Sequence, residues 1–398
     1  MTARSNPPTV TELHLERWVP GGLCLAHSGG CTWFVSYGLP GERVNARVKR
    51  RARGVIFADV VEVLEPSPER VTAPCPHFGP GLCGGCDVQH VSLEEQHRMK
   101  REIIRDCLER LGPSTVADRV DATQVLPGSA RGLAWRTRLS GERTARGIGL
   151  HRARSHEVES VGDCLIAAPG LVDTVLSAVA DGASFRAALG DDSAVAVDSG
   201  QNSGSTFVHE TVTTSLRAWR WRLPVRAFWQ VHVGAAQYLG DLVSELLGDT
   251  LHEKWWDLYA GAGMFTAFLL DGGASTVDMV ESDGDAIRAA RRTFHDAPAV
   301  TIHHSPVAPW LEGRAEAPDG VLLDPPRRGC DPGIIAGIVQ RRPSRVVYVS
   351  CDPATFARDS AHLADAGYRL SRVVPLDAFP MTHHVETVAL FVASDQIS

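Results

Sequence analysis

Three regimes of apolar and polar patterning succeed one another along the chain. From residue 8 to 65 the apolar residues come in short runs broken by turns. Residues 32–37 are rich in β-branched and aromatic side chains and stop at Gly38-Leu-Pro-Gly41; residues 43–49 and 55–64 follow as strands. Several short strands with Gly/Pro turns predict a small β-barrel. The basic run Lys49-Arg50-Arg51-Ala52-Arg53 lies between two of these strands. It suits contact with phosphates, or it is a solvated turn. Residues 66–90 interrupt the pattern with five prolines, two histidines and three cysteines. A helix is predicted over residues 93–111, stopped by Gly112-Pro113. Residues 134–164 alternate as strands do and carry six arginines, whereas residues 170–225 give little beyond mixed α and β.

From about residue 226 the rhythm becomes strand, loop, helix, repeated. Strands are predicted at 255–259, running into a glycine loop; at 276–280, ending in Glu281; at 320–323, ending in Asp324; at 345–349, ending in Ser350-Cys351; and at 387–392 as the last element. Alternating strands and helices predict a doubly wound α/β domain, with ligands at the C-terminal ends of its strands. The three regimes divide the chain into 1–70, 71–225 and 226–398.

Composition narrows the possibilities. Of the 398 residues 44% are apolar, enough for a sizeable core, which excludes wholesale disorder. The longest mostly apolar stretch, 258–270, contains two glycines and falls short of the ~20 residues a bilayer needs. The N-terminus has no apolar core of a signal peptide, so a cytoplasmic protein is expected. The net charge of −7 is unevenly spread: residues 1–164 sum to +3 and residues 165–398 to −10. The front of the chain therefore suits a polyanion that the rear repels. Nine cysteines, an odd number, without a secretion signal argue against a disulfide framework.

Candidate chemistry gathers at the predicted strand ends. Asp257-Leu-Tyr-Ala-Gly261-Ala-Gly263 places an acid before a G-x-G loop, and Glu281 closes the next strand. Glycines admit a nucleotide-like ligand to the backbone, and a carboxylate about 20 residues on grips ribose hydroxyls. A third glycine and a Walker lysine are missing, which disfavours dinucleotides and triphosphates and suits S-adenosylmethionine (SAM); a purely structural glycine turn is the plainer alternative. Asp324-Pro-Pro-Arg-Arg-Gly329 is a second strand-end motif, with Arg327 where amino-group methyltransferases carry an aromatic. Cys351 precedes Asp352-Pro353, an N-cap and N1 pair, so its thiol sits at a helix N-terminus. It is a candidate nucleophile, or else a small core residue. Glu386, after His383-His384, is a candidate base, or else a solvated carboxylate. Cys75, Cys83, Cys86 and the distant Cys164 form a four-thiolate set that fits structural zinc or a [4Fe–4S] cluster, and spacing alone does not decide. Cys24, Cys31, Cys107 and Cys330 read as packing residues.

Together these motifs resemble the RNA (uracil-5)-methyltransferase family over nearly the whole chain, from about residue 8 to 395. Leu39-Pro-Gly-Glu-Arg43 with Glu65-Pro-Ser-Pro-Glu-Arg70, then Cys75, Cys83-Gly-Gly-Cys86 and Cys164, resemble the branch with an N-terminal TRAM domain and an iron–sulfur cluster, the 23S rRNA enzymes. Phe228-Trp-Gln230-Val-His232, the 257–266 loop, the Asp-Pro segment, Tyr348-Val-Ser-Cys351 and Phe379-Pro-Met-Thr-His383-His384-Val-Glu386 occur in the family's order. The resemblance implies a C-terminal Rossmann-like SAM-dependent methyltransferase domain, an N-terminal TRAM/OB-like barrel and a central α+β iron–sulfur domain. It implies SAM contacts from Gln230, Tyr259, Glu281 and Asp324, Cys351 as nucleophile, Glu386 as base, and a [4Fe–4S] cluster on Cys75, Cys83, Cys86 and Cys164. The implied partner is RNA, 23S rRNA or alternatively tRNA, the chain acting as a monomer. Other readings are a 5-methylcytosine enzyme, which the Glu386 motif fits less well, and a catalytically silent or zinc-stabilised RNA-binding protein, which would be expected to have lost Cys351 or Glu386. The chain departs from the family at His232 and Asp352, where asparagine is usual, and in the seven-residue gap after Cys75.

Overall fold

A computed structural model describes residues 10–113, 117–199, 206–248 and 252–394. Six strands open the chain: β1 (Val10–His14), β2 (Arg17–Val19), β3 (Leu23–Ser28), β4 (Cys31–Ser36), β5 (Arg43–Ala52) and β6 (Val55–Glu65). They form one sheet in the order β1-β5-β6-β4-β3-β2. The basic run lies mostly inside β5. Only Arg53 and Gly54 make the turn, both with positive φ (46° and 81°), as a two-residue hairpin loop requires.

The proline- and cysteine-rich loop leads to α1 (Leu93–Leu111), whose bounds match the sequence expectation. Ser92 caps it by accepting from the Glu95 N–H at 3.2 Å. The middle of the chain then gives β7 (Gln124–Val125), β8 (Arg138–Thr144), β9 (Gly147–His151), β10 (Val158–Val161), α2 (Leu171–Ala178), β11 (Ser184–Leu189), β12 (Val195–Asp198), β13 (Phe207–Thr213) and β14 (Ala218–Pro224). Strands β8–β12 make a five-stranded sheet ordered β10-β9-β8-β11-β12, and β13 pairs with β14.

The remainder alternates: α3 (Ala235–Leu247), β15 (Lys254–Leu258), α4 (Met264–Asp271), β16 (Thr276–Glu281), α5 (Gly284–Thr293), β17 (Val300–His304), α6 (Val307–Glu312), β18 (Gly320–Leu323), α7 (Pro332–Gln340), β19 (Arg345–Ser350), α8 (Pro353–Asp365), β20 (Tyr368–Asp377) and β21 (Glu386–Ala393). The sheet order is β17-β16-β15-β18-β19-β21-β20-β7. The first five strands are mutually parallel, and β21 is inserted antiparallel between β19 and β20. Strand order reverses beside β15, which opens a crevice at the C-terminal edge of the sheet.

Buried apolar side chains cover both faces of this sheet. One face shares a core with α6, α7, α8 and α1, and through Trp18, Val88 and Met99 that core runs on into the N-terminal sheet. The other face packs under α3, α4 and α5 with the β13–β14 ribbon. Thus α1 and β7, which lie between residues 71 and 225, are integrated with the C-terminal sheet. Among the described residues no helix is long and apolar enough to cross a membrane.

Candidate active site and four-thiol cavity

The glycine loop follows β15 because Tyr259 (φ 61°), Gly261 (56°) and Gly263 (86°) all take left-handed backbone, turning the chain sharply from strand to α4. Gly263 is doubly constrained, since a Cβ there would lie 2.6 Å from the Phe294 ring. Glu281, at the end of the neighbouring strand, holds the loop in place. Its Oε2 accepts the Gly261 N–H at 2.9 Å, and its Oε1 accepts the N–H groups of Ser282 (2.6 Å) and Asp283 (2.7 Å). The Ser282 hydroxyl also donates to Oε1 at 3.2 Å, so Oε2, with its single donor, is the oxygen that keeps acceptor capacity for a ligand.

Asp257 and Asp324 end adjacent strands of the crevice. Burial, opposed by the Thr266 hydrogen bonds, pushes Asp257 up to about 7. Burial, then the charges of Asp257 and Glu281, pushes Asp324 up to about 7 as well. Three carboxyl groups, Asp257, Glu281 and Asp324, thus gather at the ends of three adjacent strands.

Cys351 and Glu386 meet for a topological reason. Because β21 runs against β19, its first residues lie at the same edge as the end of β19. Ser350 pairs with Thr387, so the next step of the ladder brings Cys351 beside Glu386. Cys351 is half-buried ahead of α8, whose N-cap Asp352 accepts the Thr355 N–H at 2.9 Å. Burial, then Glu386 and Asp324, pushes the Cys351 thiol up to about 12, and Arg327 opposes them. Glu386 is 4% exposed, and burial and Asp324 hold its carboxyl well above the usual carboxylate range, again against Arg327. The thiol therefore holds its proton in the free protein at neutral pH, and the Glu386 carboxyl gives its proton up less readily than an exposed one. Arg327 is exposed at this edge and is the cation that both of them feel. Its position after Asp-Pro-Pro was visible in the sequence, but not its approach to Cys351 and Glu386.

Gln230 lies in a segment held at both ends. Trp229 packs on Trp221 at 5.2 Å, and the Trp221 indole donates to the Ala262 carbonyl of the glycine loop at 2.7 Å. On its other side His232 stacks on Trp135 (5.6 Å), which meets Phe379 edge-on. His232, in the usual asparagine position, is buried; its Nδ1 accepts the Gly234 N–H at 3.0 Å, and burial lowers its pKa to about 4, so it is neutral.

The four cysteines come together. Cys75, Cys83, Cys86 and Cys164 line one cavity with Arg136 and an apolar lining that includes Phe78, Leu150 and Ile166. Cys83 is fixed by its N–H to the His77 carbonyl and by a bridge to Arg152, and the Gly84 N–H donates to His151. Gly84 passes so near Ala153 that a Cβ would lie 2.7 Å from its Cα. Among the described residues no three His, Cys, Asp or Glu side chains converge as a single metal ion requires. Four thiols lining one cavity are the ligand type used both by structural zinc and by iron–sulfur clusters. Cys24, Cys107 and Cys330 are buried as expected, and Cys31 is half-buried.

The family model for tRNA (uracil-5-)-methyltransferases matches residues 316–394, the stretch with Asp324, Cys351 and Glu386. An uncharacterized RNA methyltransferase of Streptomyces avermitilis is 36% identical over 93% of this chain and 95% of its own. The chain belongs to the RNA (uracil-5-)-methyltransferase family. It is therefore a SAM-dependent enzyme, an RNA (uracil-5-)-methyltransferase. An uncharacterized RNA methyltransferase of Bifidobacterium longum is 33% identical to this enzyme over 96% of both chains. The solved tRNA (uracil-54, C5)-methyltransferase of Pyrococcus abyssi, in complex with S-adenosyl-L-homocysteine, shares the fold: the TM-score is 0.70, with 22% identity over 96% of this chain and all of that one.

Proposed function

We propose that this enzyme methylates C5 of a uridine in structured RNA with Cys351 as nucleophile and Glu386 as base. The observation that carries the reading is their convergence, from strands β19 and β21, beside the carboxylate-lined crevice. Uracil C5 is too weak a nucleophile to take a methyl group unaided, but C6 is a Michael acceptor conjugated to the C4 carbonyl. Cys351 adds to C6 as the thiolate, which makes C5 an enolate carbon. C5 then takes the methyl group from the SAM sulfonium. Glu386, having released its own proton to solvent, removes the C5 proton as the carboxylate, and the electron pair of that C–H bond expels Cys351 from C6 as the thiolate. Arg327 favours the anionic forms of both groups. The target base must leave its stack to reach them.

SAM fits the crevice. Its ribose hydroxyls would meet Glu281 and its positive charge Asp324, with Tyr259 and Gln230 flanking. The four-thiol cavity would hold a [4Fe–4S] cluster on Cys75, Cys83, Cys86 and Cys164. No step changes an oxidation state, so the cluster would supply cross-linking of distant segments rather than electron transfer. We take 23S rRNA as the substrate, on the TRAM-like and four-cysteine motifs, and tRNA as the second reading. The three stretches 1–70, 71–225 and 226–398 would serve RNA grip, cluster and catalysis. A monomer acting in the cytoplasm completes the reading.

Two variants test the chemistry. Cys351→Ala should abolish both methylation and any covalent RNA adduct. Glu386→Gln should complete addition and methyl transfer yet fail to release, so a methylated adduct accumulates as a slow band on a denaturing gel. An adduct formed by the Cys351 variant, or normal turnover by the Glu386 variant, overturns the assignment. Mass spectrometry of rRNA and tRNA from a strain lacking the gene identifies the RNA by the loss of one 5-methyluridine.

A further inference from the structure

The loop that delivers Glu386 is gripped by the segment that follows Cys86. Residues 378–385 join β20 to β21. In the middle of them Met381 has φ 65°, backbone that a residue with a Cβ rarely adopts. Both of its backbone polar groups are bound from outside the loop. Its N–H donates to Gln96 Oε1 at 3.0 Å. Its carbonyl accepts from the N–H groups of Asp87 (3.0 Å) and Val88 (3.1 Å). Gln96 is fully buried, and its amide donates to the carbonyls of Val88 (3.2 Å) and Val91 (2.9 Å), so one side chain ties the two segments together. Two residues past Met381, the His383 ring nitrogen Nδ1 is 2.7 Å from Asp87 Oδ2. Space is tight here as well: a Cβ on Gly22 would lie 2.8 Å from the Cβ of His383. Strained backbone persists where its surroundings over-determine it, and here the surroundings are Gln96 and residues 87–88.

Cys351 is positioned by other means, namely β19 and the cap of α8, and the SAM crevice is built from the ends of β15, β16 and β18. Slackening residues 381–383 therefore disturbs Glu386 while leaving the nucleophile and the SAM crevice in place. We propose that Asp87 and Gln96 are positioning residues for proton removal: they hold residues 381–383 so that Glu386 faces C5 of the bound uridine. The segment carrying Cys83 and Cys86 is thereby a strut for the base. This rests on the reading of Glu386 as that base.

The test uses the full-length enzyme, SAM labelled in its methyl group and total RNA from a strain lacking the gene. Asp87→Ala is expected to slow turnover about tenfold and to accumulate labelled covalent adduct several-fold above wild type, with an unchanged SAM dissociation constant. Asp87→Asn keeps an acceptor for the His383 ring and should restore turnover and clear the adduct. His383→Ala removes the same contact from the other side and should reproduce Asp87→Ala; if Asp87→Ala does not fold, His383→Ala decides by the same readout. Gln96→Ala should trap adduct in the same way. Turnover of Asp87→Ala and His383→Ala without adduct, or a parallel loss of SAM binding and methyl transfer, overturns the proposal. Glu386→Gln run alongside separates the two failures. If it traps adduct and the Asp87 and His383 variants do not, the base stands and the strut falls. If Glu386→Gln traps none, the assignment of the base falls, and the strut with it.

Discussion

If Asp324 faces the SAM sulfonium as proposed, this single residue couples cofactor binding to pH. Its carboxyl ionises near 7 in the free protein because burial and its neighbours Asp257 and Glu281 favour the protonated form. The corresponding value in an unfolded chain is about 3.9. A raised carboxyl pKa stabilises the fold most fully below the unfolded value, and that contribution is lost as pH rises from about 4 through about 7. A cationic ligand favours the ionised form and so opposes this loss. SAM affinity is therefore expected to strengthen from pH 6 to pH 8, with proton release on binding at the lower end. Calorimetry in buffers of different ionisation enthalpy measures both. Asp324→Asn should bind more weakly and lose most of the pH dependence; a pH profile identical to wild type would place the titrating group elsewhere.

At the scale of elements, the β5–β6 hairpin shows how tertiary context sorts a run of like charges. Lys49 pairs with Asp59 at 2.9 Å, and the Arg50 guanidinium lies 3.5 Å over the Phe57 ring, so both are tied to the sheet. Arg51 and Arg53 are exposed near the tip. If this hairpin tracks RNA, those two supply the phosphate contacts. Arg51→Glu with Arg53→Glu is then expected to weaken RNA binding and to flatten its salt slope by about 0.7–0.9 for each phosphate that is no longer neutralised, with SAM affinity unchanged. An unaltered slope would mean that the hairpin is merely solvated. Elements were legible where local chemistry fixed them: α1 by its Ser92 cap and the Gly112-Pro113 stop, and α8 by Asp352-Pro353. The strands β17 and β20 passed unrecognised, and β5 ran on through the basic residues, because pairing with neighbours decides strand ends.

Across the whole molecule the N-terminal sheet, α1 and the catalytic sheet are joined by buried polar ties as well as by apolar packing. Lys100 on α1 is completely buried, bonded to Asp377 at the end of β20 and to the Phe379 carbonyl, while His97 reaches the same carboxylate at 3.0 Å. Burial would raise Asp377, but Lys100 and His97 outweigh it and hold the carboxyl down to about 2. Lys100→Ala leaves that charge buried without its main partner. A loss of about 3–5 kcal/mol is expected in urea unfolding, and a loss under ~1 kcal/mol would show that His97 and water replace the lysine. The four-thiol cavity joins segments ending at Cys164, almost 90 residues beyond Cys75. Protein purified without air is expected to be brown and to contain about four irons. A colourless preparation with stoichiometric zinc would instead support a zinc-stabilised fold.

The motifs alone determined the reaction class and singled out candidate residues for it. Each candidate residue leaves a local signature: Cys351 before a helix cap, Glu386 at the start of the last strand, Gly261 and Gly263 after Asp257. Strand–helix alternation likewise announced the doubly wound sheet. Only the tertiary structure decided how these pieces act on one another. Cys351 and Glu386 become neighbours because β21 is inserted antiparallel, a choice made by long-range pairing and invisible to periodicity. Arg327 becomes their cation because its loop folds over the same sheet edge. Asp87 and Gln96 reach Met381 and His383 across nearly 300 residues of sequence. The protonation of Asp324, Cys351 and Glu386 depends on burial and on the charges around them, and both exist only once the strand ends have been brought together.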